Sequence, residues 1–219
     1  MAAPSVQARS AVASATSNAT TFTPTLPTGS GGGLLAVVSS DENPTLTTAS
    51  TDWVKIGQDT VFNSAATQAI FFKAVSTGSD TLQVDSTSSQ QYSAVILRID
   101  FAAGTTPTVG ATFSNNNNTN GNPPLHSLSE ARETLWVATW SCDGQNLSSG
   151  QPSGYADHQV IQGASAAGVT TETVEKTATA SSEDPGAFTN TFSAWVVSTI
   201  AVYGISAGGA ADMALLGIG

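Results

Sequence analysis

The distribution of apolar residues along the chain predicts β-strands. Residues 34–38 form a short, continuous apolar run, which is typical of a strand buried on both faces. Residues 92–101 and 194–203 are longer runs of this kind, and we place them near the centre of a sheet. Residues 53–57 and 134–140 alternate in the manner of strands, and the latter carries apolar bulk on both faces. With shorter segments added, about nine or ten strands are expected.

Turn-forming residues suggest how some of these strands are connected. Residues 69–75 and 81–85 flank a loop that contains Gly78, and this pattern predicts a β-hairpin. The asparagine-rich stretch 114–124 cannot form a core and is expected to be a surface loop. Residues 169–180 alternate threonine with other residues, which indicates an edge strand.

Strands at this even spacing, without an amphipathic helix pattern, predict an all-β fold. We expect a single antiparallel β-sandwich or jelly roll, and 219 residues are few enough for one domain. Residues 1–30 are interpreted as an N-terminal strand or extended arm, and residues 31–204 as the sandwich. Residues 205–219 form an apolar, glycine-rich C-terminal tail that we expect to contact another subunit.

The composition narrows the classes of partner. Only 10% of the residues are charged while 40% are hydrophobic, and a charge-poor surface is better tolerated inside a symmetric assembly than on a free monomer. Sixteen acidic residues against six basic ones give a net charge of −10, which would repel a phosphate backbone. We therefore expect no nucleic-acid partner.

The sequence also indicates where the protein is made. The first residues lack the basic and apolar regions of a secretory signal, and no run approaches the roughly 20 apolar residues of a membrane span. We expect no membrane partner and assembly in a host cytoplasm. The single cysteine, Cys142, cannot form an internal disulfide and is interpreted as a buried thiol.

Nucleophilic and metal chemistry has few candidate residues. His126 and His158 lie far apart in polar sequence, with no third ligand at metal spacing. Ser206 occupies the centre of a GxSxG pattern, but the hydrolases with that pattern place a histidine after the serine, and none follows here. The stretch 153–158 contains Ser, Asp and His without an oxyanion donor. We predict no catalytic residue.

Acidic residues are the candidates for two further kinds of site, a glycosidase site and a calcium site. A glycosidase would need two carboxylates that face one cleft, and four lie near strand ends: Asp85, Asp100, Glu130 and Glu133. Calcium could be bound by loop oxygens, for which the candidates are Asp41, Glu42, Asn43 and Asp59, although their spacing is irregular. Solvation of loops and strand ends explains both sets more simply. We therefore expect no metal and no cofactor.

The four tryptophans are the candidate residues for a binding platform, because an indole face can stack on a sugar. Trp53, Trp136, Trp140 and Trp195 all fall inside strand patterns. Core or interface packing is the interpretation that we favour for them.

Several segments in a fixed order carry a resemblance to a known family. They are residues 33–44 after a glycine-rich turn, then 53–57, 69–75, 92–99, 133–138 and 152–155. In this order they resemble a family of small β-sandwich proteins among the virion structural proteins of tailed phages. The resemblance spans roughly residues 30 to 203 and consists of packing and turn residues. It implies a virion setting, in which such proteins are capsid decoration or cement proteins, tail accessory proteins or fibre heads.

The sequence as a whole thus predicts a non-enzymatic structural protein. We expect a capsid decoration protein on the outer shell of a bacteriophage, a homotrimer whose partners are capsid or tail proteins. The alternative is a tail fibre or accessory adhesin that binds a host glycan through residues 115–122 and exposed aromatic side chains. The residues predicted to make assembly contacts are Val6, Val12, Phe22, Ile205, Met213, Leu215, Leu216 and Ile218.

Overall fold

The computed structural model confirms an all-β antiparallel fold and shows more strands than predicted. The structure describes residues 2–10, 14–15, 17–61, 65–116, 120–163, 168–191 and 194–206. The strands within these ranges are β1 (Ser5–Arg9), β2 (Ala19–Phe22), β3 (Gly33–Asp41), β4 (Leu46–Thr48), β5 (Trp53–Thr60), β6 (Ala66–Lys73), β7 (Val84–Gln90), β8 (Tyr92–Asp100), β9 (Thr105–Asn116), β10 (His126–Asp143), β11 (Ala156–Ile161), β12 (Val169–Glu183) and β13 (Trp195–Ser206). None of the described residues forms a helix with the length and hydrophobicity that a membrane crossing requires.

The strands form three sheets in a sandwich-like arrangement. Sheet I has the order β1-β8-β3-β6-β5, and sheet II has the order β11-β12-β10-β13-β9. The smaller sheet III has the order β2-β7-β4. Every strand pair is antiparallel.

Strand β3 shows why sheet I is apolar on both faces. Leu35 and Val37 pack in the core between sheets I and II, where they meet side chains of β6, β8, β10 and β13. Leu34, Ala36 and Val38 belong to a second core on the opposite face. Because successive side chains of a strand alternate between faces, a strand that contributes to an apolar core on both sides is continuously apolar over that stretch. The interpretation of residues 34–38 as a strand buried on both faces is confirmed.

Sheet III covers the outer face of sheet I. Its strands and the preceding loop contribute Leu46, Leu82 and Val84 to the second core, and all three are fully buried. Phe22 of β2 stacks on Tyr92 of β8 with the ring centroids 5.1 Å apart and the ring planes at 3°. The N-terminal 30 residues thus contribute β1 to sheet I and β2 to sheet III.

Loops cover the outer face of sheet II. Trp140, Cys142 and Trp195 lie on that face, under a segment that contains buried Phe188. A β-carbon at Gly121 would lie 2.8 Å from the ring of Trp140, so this close approach requires glycine. The predicted burial of Cys142 and of the four tryptophans is confirmed.

A belt of polar side chains occupies one end of the space between sheets I and II. We call it the polar belt, and its members are Ser39, Gln68, Ser93, Thr139, Ser141, Thr171 and Ser198, all fully buried. The Gln68 amide of sheet I donates to Ser141 Oγ at 2.6 Å and accepts from Thr139 and Ser198 of sheet II at 2.8 and 2.9 Å. Such satisfied networks fix the position of one sheet on the other.

Three local predictions were wrong. β6 and β7 do not form the predicted hairpin, because β6 belongs to sheet I and β7 to sheet III. β12 is not an edge strand, since it pairs with both β10 and β11. Residues 114–116 of the predicted loop 114–124 instead end strand β9, whose Val109, Ala111 and Phe113 pack against the core between sheets I and II.

Candidate functional site

A groove opens at the end of the space between sheets I and II, opposite the polar belt. It encloses about 490 Å³ and lies where both described ends of the chain meet. Its lining residues are Ala2, Pro4, Phe101, Ala102, Thr105, Glu130, Ala131, Arg132, Glu133, Thr179, Gly204, Ile205 and Ser206. Because Phe101 also packs against the core between the sheets, the groove is an open continuation of that core.

An irregularity in β10 shapes one wall of the groove. Between Ser127 and Arg132, β10 advances by five residues while its partner β12 moves by two, from Ser182 to Ala180. Extra residues in one strand bend it and redirect its side chains. Glu130 and Ala131 lie in this bulge, and both are exposed.

Among the described residues that line the groove, Arg132 is the only basic one. Its guanidinium lies 4.6 Å from the ring centroid of Tyr203 and pairs with Glu130, whose side chain is 72% exposed. Its buried Nε has no hydrogen-bond partner among the described residues. Glu133 accepts a hydrogen bond from Thr179. The groove therefore combines an apolar floor with a guanidinium that retains an unused donor.

The four carboxylates considered for glycoside chemistry lie in different places. Glu130 and Glu133 share the groove. Asp85 lies in sheet III and accepts hydrogen bonds from Thr21 and Gln83. Asp100 ends β8 and accepts from the amide of Phe101. A glycosidase uses one carboxyl as acid and the other as base or nucleophile across the substrate, and only the Glu130–Glu133 pair lies within one concave surface.

The histidines lie away from Ser206, which ends β13 in the groove wall. Nδ1 of His126 is 2.7 Å from Thr112 Oγ1, and burial lowers the pKa of this imidazole. His158 Nε2 is 2.7 Å from a carboxylate oxygen of Glu172. The structure therefore does not bring a histidine to Ser206 within the described residues.

Three of the calcium candidates near the far end of the sandwich, Asp41, Glu42 and Asp59, accept local hydrogen bonds, and Asn43 is exposed. Burial, followed by the nearby carboxylate of Asp143, raises the pKa of Asp41 to about 6. Glu42 accepts a hydrogen bond from Gln90, and Asp59 accepts one from Asn115. The described part of the chain holds no group of three His, Cys, Asp or Glu side chains that could bind a metal ion.

Two carboxylates of β12 make contacts that sequence reasoning missed. Glu175 accepts two hydrogen bonds from Arg9, at 3.0 and 2.7 Å, and this pair joins β1 of sheet I to sheet II. Burial raises the pKa of Glu175, and Arg9 opposes that rise. Fully buried Glu172 accepts from the amide and hydroxyl of Ser148 at 2.7 and 2.6 Å. The alternation of threonine around Glu172 predicted only a strand. It contained no information that Arg9 or Ser148 would contact these carboxylates.

The predicted assembly residues have different environments. Val6 is half-buried against the core between sheets I and II, and Phe22 is 5% exposed within the chain's own second core. Phe22 therefore packs inside the chain. Ile205 is 40% exposed and lines the groove. The remaining residues of this prediction lie outside the described residues: Val12, Met213, Leu215, Leu216 and Ile218.

Neither Arg132 nor the N-terminal residues of the groove were singled out from the sequence. The groove joins residues 2–4, 101–105, 130–133 and 204–206, which are far apart along the chain. Within a single segment, the sequence shows only that Pro4 precedes β1 and that Phe101 follows β8. In comparison with known proteins, no family model, no curated protein and no solved structure matches this chain.

Proposed function

We propose that the chain is a non-enzymatic structural component of a bacteriophage virion, a capsid decoration protein on the outer shell. It assembles in the host cytoplasm as a homotrimer and then binds capsid proteins. The resemblance of its ordered segments to tailed-phage β-sandwich proteins supports the virion setting. The all-β antiparallel architecture is consistent with that resemblance.

One observation carries the proposal of an assembly role. Strand β13 ends at Ser206 in the wall of an apolar groove, and the sequence that follows contains four large apolar residues and one charge, Asp212. Burying such a side chain against another chain stabilises a contact by about 1.5–3 kcal/mol. An apolar surface beside an apolar segment is what a subunit contact requires.

The alternative, an adhesin for a host glycan, has weaker support. Its sugar platform was expected from exposed aromatic side chains. The four tryptophans are at most 7% exposed, with Trp53 the most exposed of them. Their faces pack within the protein and are not free to stack on a sugar.

The proposal is tested by changing the composition of the tail while keeping its length. In the test variant, four large residues are replaced: Met213→Ser, Leu215→Ser, Leu216→Ser and Ile218→Ser. We expect its incorporation into particles to fall at least tenfold, with loss of the trimer mass, since the apolar contact is removed. Circular dichroism and the melting temperature should stay unchanged.

A matched control places four serines in the same segment at small residues: Ala207→Ser, Ala210→Ser, Ala211→Ser and Ala214→Ser. This control should incorporate normally. Normal incorporation of the test variant would contradict an assembly role for the tail. Loss of its circular dichroism signal would instead assign the tail to the chain's own core.

A further inference from the structure

Within the part of the chain that the structure describes, no segment covers the apolar floor of the groove. Pro4 is buried and Phe101 is half-buried, whereas Ala2 and Ile205 at the rim are exposed. The floor continues the core between the sheets, as the packing of Phe101 shows. Water in such a groove contacts apolar side chains that a complementary segment would cover favourably.

The charges of the groove restrict what can cover it. Arg132 is paired with Glu130, and Glu133 gives the lining a net negative charge. The net charge of the whole chain is −10. An acidic surface of another copy would be repelled, whereas a segment with almost no charge would not.

The chain itself contains a segment of this kind, and it begins at the groove. Residues 207–219 follow Ser206 directly and carry one charged side chain in thirteen residues. Fully extended, thirteen residues span about 45 Å. The length of this segment therefore does not confine its apolar residues to the groove at which it begins.

We infer that the groove of each chain binds the apolar residues of segment 207–219 from a second copy. The inference rests on the proposed assembly function, because an assembly requires a contact between chains and a return of the segment to its own groove would supply none. The groove of one copy is then the binding surface, and Met213, Leu215 and Leu216 of the second copy are the side chains that fill it.

Disulfide trapping between two differently tagged full-length copies tests this contact. One copy carries Ala131→Cys in the exposed bulge of the groove, and the other carries Met213→Cys. We expect mild oxidation of the mixture to give a covalent dimer that contains both tags. A matched control replaces Ala131→Cys with Val54→Cys, which is 61% exposed and does not line the groove. The control mixture should give no such dimer.

Other outcomes overturn the inference. A disulfide that forms only when both cysteines are in one chain would show that the segment occupies its own groove. Absence of a disulfide in both arrangements would show that the groove does not bind it. If the serine variant of the tail loses incorporation while no disulfide forms, the proposed function stands and this docking site fails. If the mixed disulfide forms and the serine variant incorporates normally, the site stands and the function fails.

A variant of the groove supplies an independent measurement. Ile205→Asp places a charge on the rim, and we expect the dissociation constant of the oligomer to rise at least tenfold. Val54→Asp is the control with the same change of charge at an exposed valine outside the groove. Equal dissociation constants for the two variants would contradict the proposed site.

Discussion

Asp80 is a buried carboxylate whose hydrogen bonds organise the loop after β6. It accepts from the hydroxyl of Ser76 at 2.6 Å and from the amide of Thr77 at 2.9 Å, and Lys73 lies 3.1 Å away. Ser76 in turn accepts a hydrogen bond from Arg98, whose guanidinium also donates to carbonyl groups of the Pro27–Gly31 segment. One carboxylate thereby links two loops.

The pKa of Asp80 follows from these contacts. Burial alone would raise it, but the hydrogen bonds from Ser76, Lys73 and Thr77 outweigh burial and lower the pKa well below its usual value. A carboxyl whose pKa is lower in the folded state stabilises that state above the pKa of the unfolded chain. This stabilisation is lost as the pH falls from the unfolded value toward the folded one.

We expect Asp80→Asn to lower the free energy of unfolding at neutral pH by about 1.5–3 kcal/mol, the usual contribution of a hydrogen-bonded charge. The variant should also lose part of the wild-type decline in stability below about pH 4. Urea unfolding at a series of pH values measures both effects. Asp52→Asn is the control, because Asp52 lies 3.7 Å from the same Lys73 but is 75% exposed. An equal effect of the two substitutions would contradict the role of buried Asp80.

At the scale of elements, the loop between β10 and β11 is held closed by one side chain of β12. Glu172 accepts both hydrogen bonds of Ser148 and lies next to His158 of β11. The same loop covers Cys142, whose thiol donates to the carbonyl of Asn146 at 3.6 Å. Burial, with the carboxylate of Glu172 nearby, raises the pKa of this thiol.

Glu172→Gln should therefore open the loop and expose Cys142. The carboxylate of Glu172 makes three polar contacts, and the neutral amide of glutamine is a weaker acceptor. We expect the free energy of opening the loop to fall by about 1–3 kcal/mol. Thiol labelling under native conditions measures the opening, and its rate should rise at least tenfold. Glu133→Gln is the control, since Glu133 lies on the neighbouring strand and contacts Thr179. An unchanged labelling rate in Glu172→Gln would show that other contacts hold the loop.

The elements differ in how far the sequence predicts them. β3 and β8 contain continuous apolar runs, residues 34–38 and 94–97, that are buried on both faces, and such runs identify central strands directly. β9 was missed because its apolar side chains, Val109, Ala111 and Phe113, are separated by small and polar residues in a proline-containing segment. The pairing of β6 and β7 could not be inferred, because neighbours along the chain need not share a sheet.

The candidate site was only partly predictable for the same reason. Ile205 was predicted as a contact residue from the apolar composition of the tail. Glu130 and Glu133 were named as carboxylates near strand ends, but solvation was the interpretation favoured for them. The groove that contains them depends on Pro4, Phe101 and Arg132, which approach only through the register of non-local strands. A pattern within one segment carries no information on such an approach.

At the scale of the whole molecule, two ends of the sandwich respond to pH in opposite ways. Asp41 lies at the end of β3, and burial together with Asp143 raises its pKa to about 6. A carboxyl with a raised pKa in the folded state destabilises that state once it ionises. The free energy of unfolding therefore increases through Asp41 as the pH falls from about 7 toward 4. Through Asp80 it decreases as the pH falls further.

We expect the melting temperature to pass through a maximum at mildly acidic pH, between the titration ranges of Asp41 and Asp80. Asp41→Asn should raise the melting temperature at pH 7.5 relative to the wild type and remove part of its rise on acidification. Scanning calorimetry from about pH 3 to 8 measures this. Asp85→Asn in sheet III is the control, because Asp85 contacts Thr21 and Gln83 and not Asp41. A wild-type profile that is flat between about pH 7 and 5 would contradict the assignment.

The pairing of β1 with β8 sets an order of events during synthesis. Of the described strands, β1 is synthesised first, and Tyr92 at the start of its partner β8 follows Arg9 by 83 residues. At about 5–20 residues per second, β1 waits roughly 4–17 s for its partner strand. Arg9 waits about twice as long for Glu175, 166 residues later. Until β8 has been made, the nascent chain exposes the unpaired edge of β1.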